Sequence, residues 1–444
     1  MTALHRPSGA PPATRVPFST VDEVTRHCLT PREPETVHIE VHLPGRPDPA
    51  RLRTAFTEAL RRHPRILMRE APGPWYRRRY EWELTDGPDP GTEPVTVPPA
   101  DPGDPADPGP GALERARRRA LTEAPPLTAS PPVRLEIVDR VLVLTVNHTA
   151  LDGPACLRVL ATAAELYGGR RNTPQAPPAR PPAGPAPRGL FPDTGGPRLA
   201  TGLAPVARVA RGTPGAGPAN GLLTAALDVP GRPRGAPYTV NDQLMVATAR
   251  TIARWNHDRG GPARPLRITM PVDDRRRGMD MPIGNGTRLV EVPFTPAELC
   301  LPTPELLRLT AARTRALKAL RRPQLGRGAA LLTAPVLPVG LRAPLARAAR
   351  RALAPWTSTT LLSNIGRVPY PLDFGEGAGA ATAVWFSAPA RMPRGLTVTT
   401  AGTGGRLHLA LRWSAELLGP DDGAHLREMF TRYLDATGPA GPRP

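Results

Sequence analysis

The residues best suited to chemistry lie in one short stretch, where an apolar run leads to a histidine. His148 follows the run 141–146 by two residues, and Asp152 and Gly153 come four and five residues after it. Histidine has an unperturbed pKa of about 6.5, which suits proton transfer near neutral pH. At the end of a strand its ring can project into a cleft while the sheet holds its backbone. The spacing therefore indicates a candidate proton-transfer site.

Two features that follow His148 would support it. Asp152 stands where a helix is predicted to start, so its carboxylate could cap that helix or pair with an arginine and brace the loop. Gly153 has no β-carbon, which permits a tight turn or a close approach of another backbone. An ordinary surface loop with an Asp-Gly turn has the same spacing. Residue types alone leave both interpretations open.

Other combinations of reactive residues are weaker candidates for a functional site. His38, Glu40 and His42 alternate along one predicted strand. Side chains four residues apart on a strand lie about 13 Å apart, too far for easy convergence on one ion, so we predict no metal site. Cys156 lies one turn beyond Asp152 and is interpreted as a packed helix residue. The chain contains no G-x-x-x-x-G-K-[ST], G-x-S-x-G or H-E-x-x-H motif.

The predicted elements deliver His148 from the end of a hairpin. Apolar residues alternate over 36–43, which indicates a half-buried strand, and strands over 133–138 and 141–146 form the hairpin. A helix over 154–167 follows it, and Asn241-Asp242 is predicted to cap a helix that ends at 256. Further strands are predicted at 66–68, 80–84, 222–229, 266–271, 287–293, 361–363, 383–387, 396–401 and 406–413. Further helices are predicted at 49–63, 111–123, 305–320 and 423–436.

The composition predicts two folded modules joined by a proline-rich connector. The chain has 444 residues with 42 glycines and 62 prolines, and 40% of its residues are hydrophobic. Residues 175–187 are almost entirely Pro, Ala, Arg and Gly, which cannot bury enough apolar surface to fold alone. We expect an N-terminal module over 16–170, a linker over 171–220 and a C-terminal module over 221–437. Each module mixes strands and helices, so the predicted class is α/β.

The positive charge of the chain has two open explanations. Lys and Arg total 58 against 39 Asp and Glu, and Lys318 is the only lysine. The excess of Arg, Ala, Gly and Pro fits drift toward GC-rich codons. A basic surface would instead attract coenzyme phosphates or an acidic protein. Aromatic residues are 4% of the chain, which argues against a base-stacking surface, and we predict no nucleic-acid partner.

Cysteine usage and hydropathy predict a cytoplasmic protein. Cys28, Cys156 and Cys300 are far apart and odd in number, which fits reduced thiols. Residues 1–16 lack the apolar core of a signal peptide. The longest uncharged apolar run, over 328–341, is too short to span a bilayer. We expect a monomer without membrane contact.

Five motifs in order resemble the chloramphenicol acetyltransferase-like superfamily, which includes nonribosomal-peptide condensation domains and polyketide-associated acyltransferases. The central motif is H-x-x-x-D-G at 148–153. The others are R-H-P-R-I at 62–66, T-V-N-D at 239–242, P-V-D-D-R at 271–275 followed by G-N at 284–285, and S-N-I-G at 363–366. Together they span roughly residues 18–435.

The resemblance implies two α/β modules of this type that meet in a V, with a tunnel at their interface. It implies acyl transfer from a thioester to a hydroxyl or amine, in natural-product or lipid biosynthesis. The donor would be acyl-coenzyme A or an acyl chain on the phosphopantetheine arm of an acidic carrier protein. No bound cofactor and no covalent enzyme intermediate are implied. His148 would act as the general base.

The resemblance also implies roles for residues outside the central motif. Ser363 and Asn364 become candidate donors to the oxyanion, and Asn285 becomes a weaker one. Asp152 becomes a brace for the loop of His148, paired with Arg62 or Arg275.

The sequence departs from the family pattern at two places. Asn147 stands where condensation domains carry a second histidine, and residues 373–377 only approximate the D-F-G-W-G motif. Two other functions remain open. One is a catalytically idle scaffold in a biosynthetic complex. The other is a binder of anionic surfaces, set against a plain solvated helix face, that would use the helical residues Arg342, Arg347, Arg350 and Arg351 beside Leu345 and Leu353.

Overall fold

The computed structural model describes residues 14–98, 109–170, 205–215, 220–275, 281–320 and 333–439. The strands are β1 (Arg15–Pro17), β2 (Thr36–His42), β3 (Met68–Glu70), β4 (Glu81–Leu84), β5 (Val95–Thr96), β6 (Val133–Val138), β7 (Val141–Asn147), β8 (Asn220–Asp228), β9 (Leu266–Asp273), β10 (Thr287–Phe294), β11 (Thr360–Arg367), β12 (Ala383–Ser387), β13 (Leu396–Thr403) and β14 (Arg406–Ser414). The α-helices are α1 (Thr20–His27), α2 (Pro49–Arg62), α3 (Gly109–Thr122), α4 (Gly153–Tyr167), α5 (Val240–Asp258), α6 (Pro296–Leu299), α7 (Thr303–Ala319), α8 (Val339–Ala352) and α9 (Pro420–Asp435). The class is mixed α/β, as predicted.

The first sheet carries the hairpin that leads to His148. Its strand order is β12-β2-β7-β6-β5, and β6 and β7 pair antiparallel with Val133 opposite Val146. Helices α2 and α4 cover one face, where their apolar side chains join those of β2 and β7 in one buried cluster. Helix α3 covers the other face through Ala112 and Ala116, which pack on Val143. The predicted hairpin is confirmed.

The strand β2 is buried on both faces, whereas the sequence predicted a half-buried strand. His38 and Glu40 are 1% and 0% exposed. The reason is that β12 and β7 flank β2 in the sheet while α3 lies over its polar face, from which Arg117 reaches Glu40. Alternation in the sequence identified the strand but not the helix that covers it.

The second sheet has the order β10-β9-β11-β13-β14-β8. Its core joins strand residues to α5, α7 and α9 and includes the fully buried Trp255 and Phe294. Residues 205–215, which fall in the predicted linker, lie against this core, with Val206 and Val209 buried. The backbone N–H of Thr213 donates to Asp422 at the start of α9.

The two sheets are connected by strand exchange and by a buried arginine. β12 comes from the C-terminal half of the chain but pairs antiparallel with β2 of the first sheet. Arg412 of β14 is 0% exposed and donates to the carbonyl of Thr36, 2.8 Å away, and to the side chain of Asn220, 2.7 Å away. The module boundaries, the V and the tunnel stay predictions.

Several element boundaries differ from the predicted ones. Helix α5 begins after Thr239, and Asp242 accepts a 2.8 Å bond from the Thr239 backbone, so Asp242 completes a capping box and is not itself the N-cap. β3 starts at Met68 because the N–H groups of Ile66 and Leu67 close turns onto His63 and Pro64. The sequence predicted strands close to β3 and β4 but neither β1 nor helix α1. The structure places β1, β4 and β3 together in a three-stranded sheet. Within the described residues no helix is long and apolar enough to cross a membrane.

Candidate active site

The turn after β7 fixes the backbone of His148. The His148 N–H donates to the carbonyl of Glu35 at 2.8 Å. Asn147 is buried, donates its amide to the Pro125 carbonyl at 3.0 Å and accepts from the Thr149 N–H at 3.1 Å. Asn147 therefore holds the turn closed.

A single hydrogen bond sets the tautomer of His148. The ring is partly buried, and its Nδ1 lies 2.8 Å from the carbonyl oxygen of Leu151. A carbonyl oxygen can only accept, so Nδ1 carries the hydrogen and donates it. The lone pair is then on Nε2, which is the arrangement that a general base requires.

Asp152 connects the His148 loop to the second sheet. It is 2% exposed and caps α4 by accepting from the Ala155 N–H at 3.1 Å. Both carboxylate oxygens accept from Nη2 of Arg275, at 2.8 and 2.7 Å. The backbone N–H groups of Gly286 and Thr287 donate to the same carboxylate at 2.8 and 3.1 Å. This carboxylate therefore acts as a brace in the structure.

Arg275 is held on all sides of its guanidinium group. Its Nε donates to Asp273 at 2.8 Å, and Nη1 donates to the carbonyls of Pro282 and Gly284, each 3.1 Å away. Burial alone would lower the pKa of Arg275, but the carboxylates of Asp152 and Asp273 raise it above its usual range. The arginine therefore stays charged and in one place.

Gly286 is required by the close approach of Arg275. A β-carbon added at Gly286 would lie 2.5 Å from Nε and Cζ of Arg275. The guanidinium cannot give way easily, because the bonds to Asp152 and Asp273 fix it. Gly286 therefore has a packing role beside the Asp152–Arg275 pair.

Asn285 positions the loop of His148 and is not available as the predicted oxyanion donor. Its amide nitrogen lies 3.2 and 2.9 Å from the carbonyls of His148 and Thr149, and 3.1 Å from Asp22. These acceptors take up the two hydrogens of the amide. Asp22, which sequence reasoning missed, also accepts from the indole of Trp82 at 3.2 Å. The capping-box spacing of Ser19 and Asp22 was the available signal.

Ser363 and Asn364 have different surroundings on β11. The Asn364 side-chain oxygen accepts from the Gly366 N–H at 2.8 Å, where the pairing with β13 shifts register. Asn364 thus closes a bulge through its oxygen, while its amide nitrogen lies 3.5 Å from the side-chain oxygen of Asn241 on α5, and its role as an oxyanion donor stays a prediction. Ser363 pairs with Thr399, whose hydroxyl donates to the Phe386 carbonyl. Paired residues share a sheet face, so Ser363 lies on the face turned toward β12.

Gly153 and Arg62 do not have the contacts that were predicted for them. A β-carbon on Gly153 would lie 3.9 Å from the ring of Phe386, an ordinary contact, so the packing of the described residues does not demand glycine there. Arg62 bonds Glu58 on its own helix at 3.1 Å, while Arg275 is the partner of Asp152. An arginine at the end of α2 finds an i−4 carboxylate more readily than a distant one.

The R-H-x-x-I motif joins α2 to α4. Nε2 of His63 lies 2.7 Å from the hydroxyl of Thr162. Burial, together with the charges of Arg158 and Arg62, lowers the pKa of His63 to about 4. The histidine is therefore a neutral packing residue near pH 7.

Two other candidates from the sequence are structural. Burial would raise the pKa of Glu40, but hydrogen bonds from Arg117, His38 and His42 hold it well below its usual range. Burial and the nearby Asp152 carboxylate raise the pKa of the Cys156 thiol, so it stays protonated. In the part of the chain that the structure describes, no group of His, Cys, Asp and Glu could hold a metal ion.

Comparison with known sequences gives two relatives of similar length. No family model matches the chain. Two proteins of Mycobacterium tuberculosis, named Uncharacterized protein Rv2305 and Uncharacterized protein MT2362, are each 30% identical over 434 residues, or 90% of this chain and 94% of the relative.

Comparison with solved structures gives condensation domains. The first condensation domain of the calcium-dependent antibiotic synthetase, in complex with a substrate analogue, has a TM-score of 0.63 and 17% identity, over 96% of this chain and 97% of that one. The condensation domain of the Monacolin K polyketide synthase MokA has a TM-score of 0.59 and 15% identity, over 96% and 98%. A mutant starter condensation domain of rhizomide synthetase RzmA, in complex with C8-CoA, has a TM-score of 0.62 and 16% identity, over 95% and 94%.

Proposed function

Because the chain belongs to the family of the mycobacterial protein Rv2305 and has the chloramphenicol acetyltransferase-like fold of condensation domains, we propose that it transfers an acyl group from a thioester to a hydroxyl or amine. The donor is acyl-coenzyme A or an acyl chain on the phosphopantetheine arm of a carrier protein. The solved starter condensation domain in complex with C8-CoA supports a thioester donor of this kind. The acceptor is a small molecule of a biosynthetic pathway.

The observation that carries the proposal is the hydrogen bond from Nδ1 of His148 to the Leu151 carbonyl. It leaves the Nε2 lone pair for the proton of the acceptor. As Nε2 takes that proton, the acceptor oxygen or nitrogen bonds to the thioester carbonyl carbon. The carbon–sulfur bond then breaks, and the proton passes from Nε2 to the departing sulfur, which leaves as a thiol. No covalent enzyme intermediate and no resident cofactor enter this sequence.

The negative charge that develops on the carbonyl oxygen needs a donor. The Ser363 hydroxyl is the donor we propose, because its strand face is turned toward β12, and the β12 residue Phe386 packs beside Gly153. Asn285 is not available for this role, because its amide hydrogens already go to the carbonyls of the His148 loop and to Asp22. Asn364 follows Ser363 on β11 and turns its amide nitrogen toward Asn241 of α5, so Ser363 is preferred.

The Asp152–Arg275 pair affects the reaction by holding the loop of His148 in place. It ties the start of α4, directly after the His148 loop, to the connection between β9 and β10. A catalytic histidine works only when its ring is held in register with both substrates, and errors of about 1 Å cost roughly 100-fold in rate. Asp152 and Arg275 are therefore positioning residues in the proposed mechanism.

A panel of acyl donors and acceptors tests the proposal. The full chain is incubated with acyl-coenzyme A of increasing chain length, or with acyl-loaded carrier protein, and with alcohols and amines. We expect thiol release and a product whose mass equals acceptor plus acyl group, both dependent on the chain. Thiol release without any acylated acceptor would indicate hydrolysis instead, and no reaction across the panel would contradict acyl transfer.

A further inference from the structure

Half of the large apolar side chains that are exposed in the described parts of the chain lie in two segments, at residues 75–76 and 336–345. We call these residues the apolar patch. Its members are Trp75, Tyr76, Val336, Leu337, Leu341 and Leu345. Val336 is 77% exposed and Trp75 is 65% exposed. Leu353 and Trp356, which follow α8 in the chain, are also exposed. Single exposed apolar residues are normal, whereas a contiguous group marks an interaction surface.

The two segments of the apolar patch are held together by direct contacts. The N–H of Gly340 donates to the Trp75 carbonyl at 3.0 Å, and a β-carbon on Gly340 would come within 3.1 Å of the Trp75 ring. The rings of Trp75 and Tyr76 meet edge to face, with centroids 6.0 Å apart. Leu341 and Leu345 are one turn apart on α8 and share a face. The loop of Trp75 and Tyr76 therefore lies against the start of α8, next to Leu341.

The inward face of α8 explains why its leucines point outward. Arg342 is 2% exposed, pairs with Glu23 of α1 at 3.2 Å and donates to the carbonyl of Arg78 at 2.6 Å. Ala346 packs beneath the helix on the same side. With the charged residue buried and anchored, the orientation of α8 is fixed, and Leu341 and Leu345 face solvent.

The charge around the apolar patch is of one sign. Residues 71–79 and 333–358 contain seven arginines and no lysine, aspartate or glutamate. Arg78, Arg79, Arg347 and Arg351 are exposed. Among the described residues we find no ion pair between these four and an acidic side chain. An anionic partner would therefore meet available guanidinium groups beside an apolar surface.

A basic cavity opens beside the apolar patch. It has a volume of about 530 Å³ and is formed by the loop of residues 72–79, Arg15, Glu81 and Pro335. Four of its lining residues are arginines and one is acidic. Arg15 pairs with Glu81 and Glu83, and Arg77 pairs with Glu70, so Arg78 and Arg79 are the two lining arginines that we offer as phosphate ligands. Arginine binds phosphate through paired N–H donors, which suits a phosphate-bearing headgroup.

We propose that this surface docks the protein on an anionic phospholipid bilayer. The side chains of the apolar patch enter the interface, where tryptophan and tyrosine are favoured, and the arginines meet the anionic headgroups. The bilayer is the partner that supplies both an apolar layer and a dense layer of phosphate. The sequence alone favoured a solvated face for α8, because the contribution of Trp75 and Tyr76 comes only from the fold. The inference is independent of the proposed acyl transfer.

Vesicle flotation with the full chain tests the proposal. The vesicles are phosphatidylcholine with or without phosphatidylglycerol, at low and at near-molar salt. We expect flotation with the anionic vesicles at low salt, and loss of most binding at high salt or without phosphatidylglycerol. Equal binding to both kinds of vesicle, or no binding to either, would overturn the proposal.

Matched variants locate the surface. The double variant Leu341→Ser/Leu345→Ser should bind anionic vesicles at least tenfold more weakly, whereas Val229→Ser, an exposed apolar residue elsewhere, should bind as the wild type does. The double variant Arg347→Gln/Arg351→Gln should bind about 25-fold more weakly, at about fivefold per arginine. Its control is Arg118→Gln/Arg264→Gln, which changes the net charge equally.

Melting temperatures show whether each variant is folded, and Trp75→Ser replaces the leucine double variant if that one fails to fold. Equal loss in variants and controls would mean that net charge alone drives binding, which contradicts the proposal. Capture of an acidic carrier protein or of a second copy by the same surface, without vesicle binding, would also overturn it.

Discussion

The carboxylate of Asp152 makes most of the contacts that hold the candidate site in register. It is 2% exposed, and it accepts from the backbone of α4, from two backbone N–H groups at the start of β10, and from Arg275. Removing one partner of a dry pair leaves the other charge buried without compensation, which costs about 3–5 kcal/mol. Asp152 is therefore the residue whose loss couples stability to activity.

We expect Asp152→Asn to lower the free energy of unfolding by about 3–5 kcal/mol and to reduce turnover as well. Urea unfolding and thioester turnover measure the two effects. The control is Asp258→Asn, which removes an exposed pair with Arg254 and should cost less than about 1 kcal/mol. An unchanged midpoint with lost turnover would assign Asp152 a chemical role and contradict the brace.

The neutral state of His63 predicts a pH dependence of stability. Its pKa is about 4 in the fold and 6.5 when unperturbed, so the unfolded chain binds the proton first as the pH falls. The stability due to this residue is full above about pH 6.5 and is lost as the pH falls toward 4. Between pH 7.5 and pH 5 the loss is about 2 kcal/mol.

The variant His63→Gln isolates this effect, because other groups that titrate in the same range are present in both proteins. We expect the difference in unfolding free energy between pH 7.5 and pH 5 to be smaller in His63→Gln by about 2 kcal/mol. The exposed His257→Gln is the control and should keep the wild-type slope. Equal slopes in wild type and His63→Gln would show that His63 is not held neutral.

Part of this site could be predicted from the sequence, because some of its residues are close together along the chain. His148 and Asp152 lie within one loop, so their spacing alone placed them together, and the resemblance supplied Arg275 as a partner. The use of Asn364 in a bulge and of Asn285 on two carbonyls depends on which strands pair. An asparagine carries the same donors in either role, so the sequence could not separate them.

At the scale of elements, two glycines of the site have opposite requirements. Gly286 lies under Arg275, where a β-carbon would come within 2.5 Å of the guanidinium, while Gly153 has ordinary space beside Phe386. We expect Gly286→Ala to destabilise the protein by about 1–3 kcal/mol through overpacking. Gly153→Ala should keep the wild-type melting temperature, which thermal unfolding of both variants checks.

The variants Gly153→Ala and Gly286→Ala also test where the substrate binds. If Gly153→Ala keeps its fold but loses turnover, a substrate passes through the space that the described residues leave beside Gly153. A large loss of stability in Gly153→Ala, or none in Gly286→Ala, would contradict the packing described for these two positions.

The elements that the sequence predicted correctly are those defined by neighbours along the chain. The hairpin of β6 and β7 follows from alternation, and α2 begins at Pro49 with Asp48 as its N-cap, a pairing that local sequence encodes. The pairing of β12 with β2 joins residues more than 300 positions apart, and no local pattern encodes it. The burial of β2 depends on that pairing and on α3, so it was missed for the same reason.

At the scale of the whole molecule, the two halves of the chain share one sheet. β12 pairs with β2 from Ala383 opposite His42 to Ser387 opposite His38, and Arg412 is buried between the sheets. We expect the two halves to stay together after cleavage at a protease site inserted between residues 180 and 181. Size-exclusion chromatography of the cleaved protein checks this, and elution of two separate fragments would contradict it.

A control for the cleavage experiment is the variant Arg412→Met. This substitution removes the guanidinium group that donates to the Thr36 carbonyl and to the Asn220 side chain. A buried acceptor that is left without a hydrogen-bond partner costs about 1–3 kcal/mol. The cleaved variant should dissociate at a lower urea concentration than the cleaved wild type.

The central claim is that Nε2 of His148 takes the proton of the acceptor. The most direct measurement is the turnover of His148→Ala with a donor and acceptor that the wild type joins, at equal protein concentration and with the melting temperature checked. The ring makes one hydrogen bond within the described structure, to Leu151, so the fold should survive. The account predicts a loss of about 10²- to 10⁴-fold in turnover. Turnover equal to that of the wild type would contradict it.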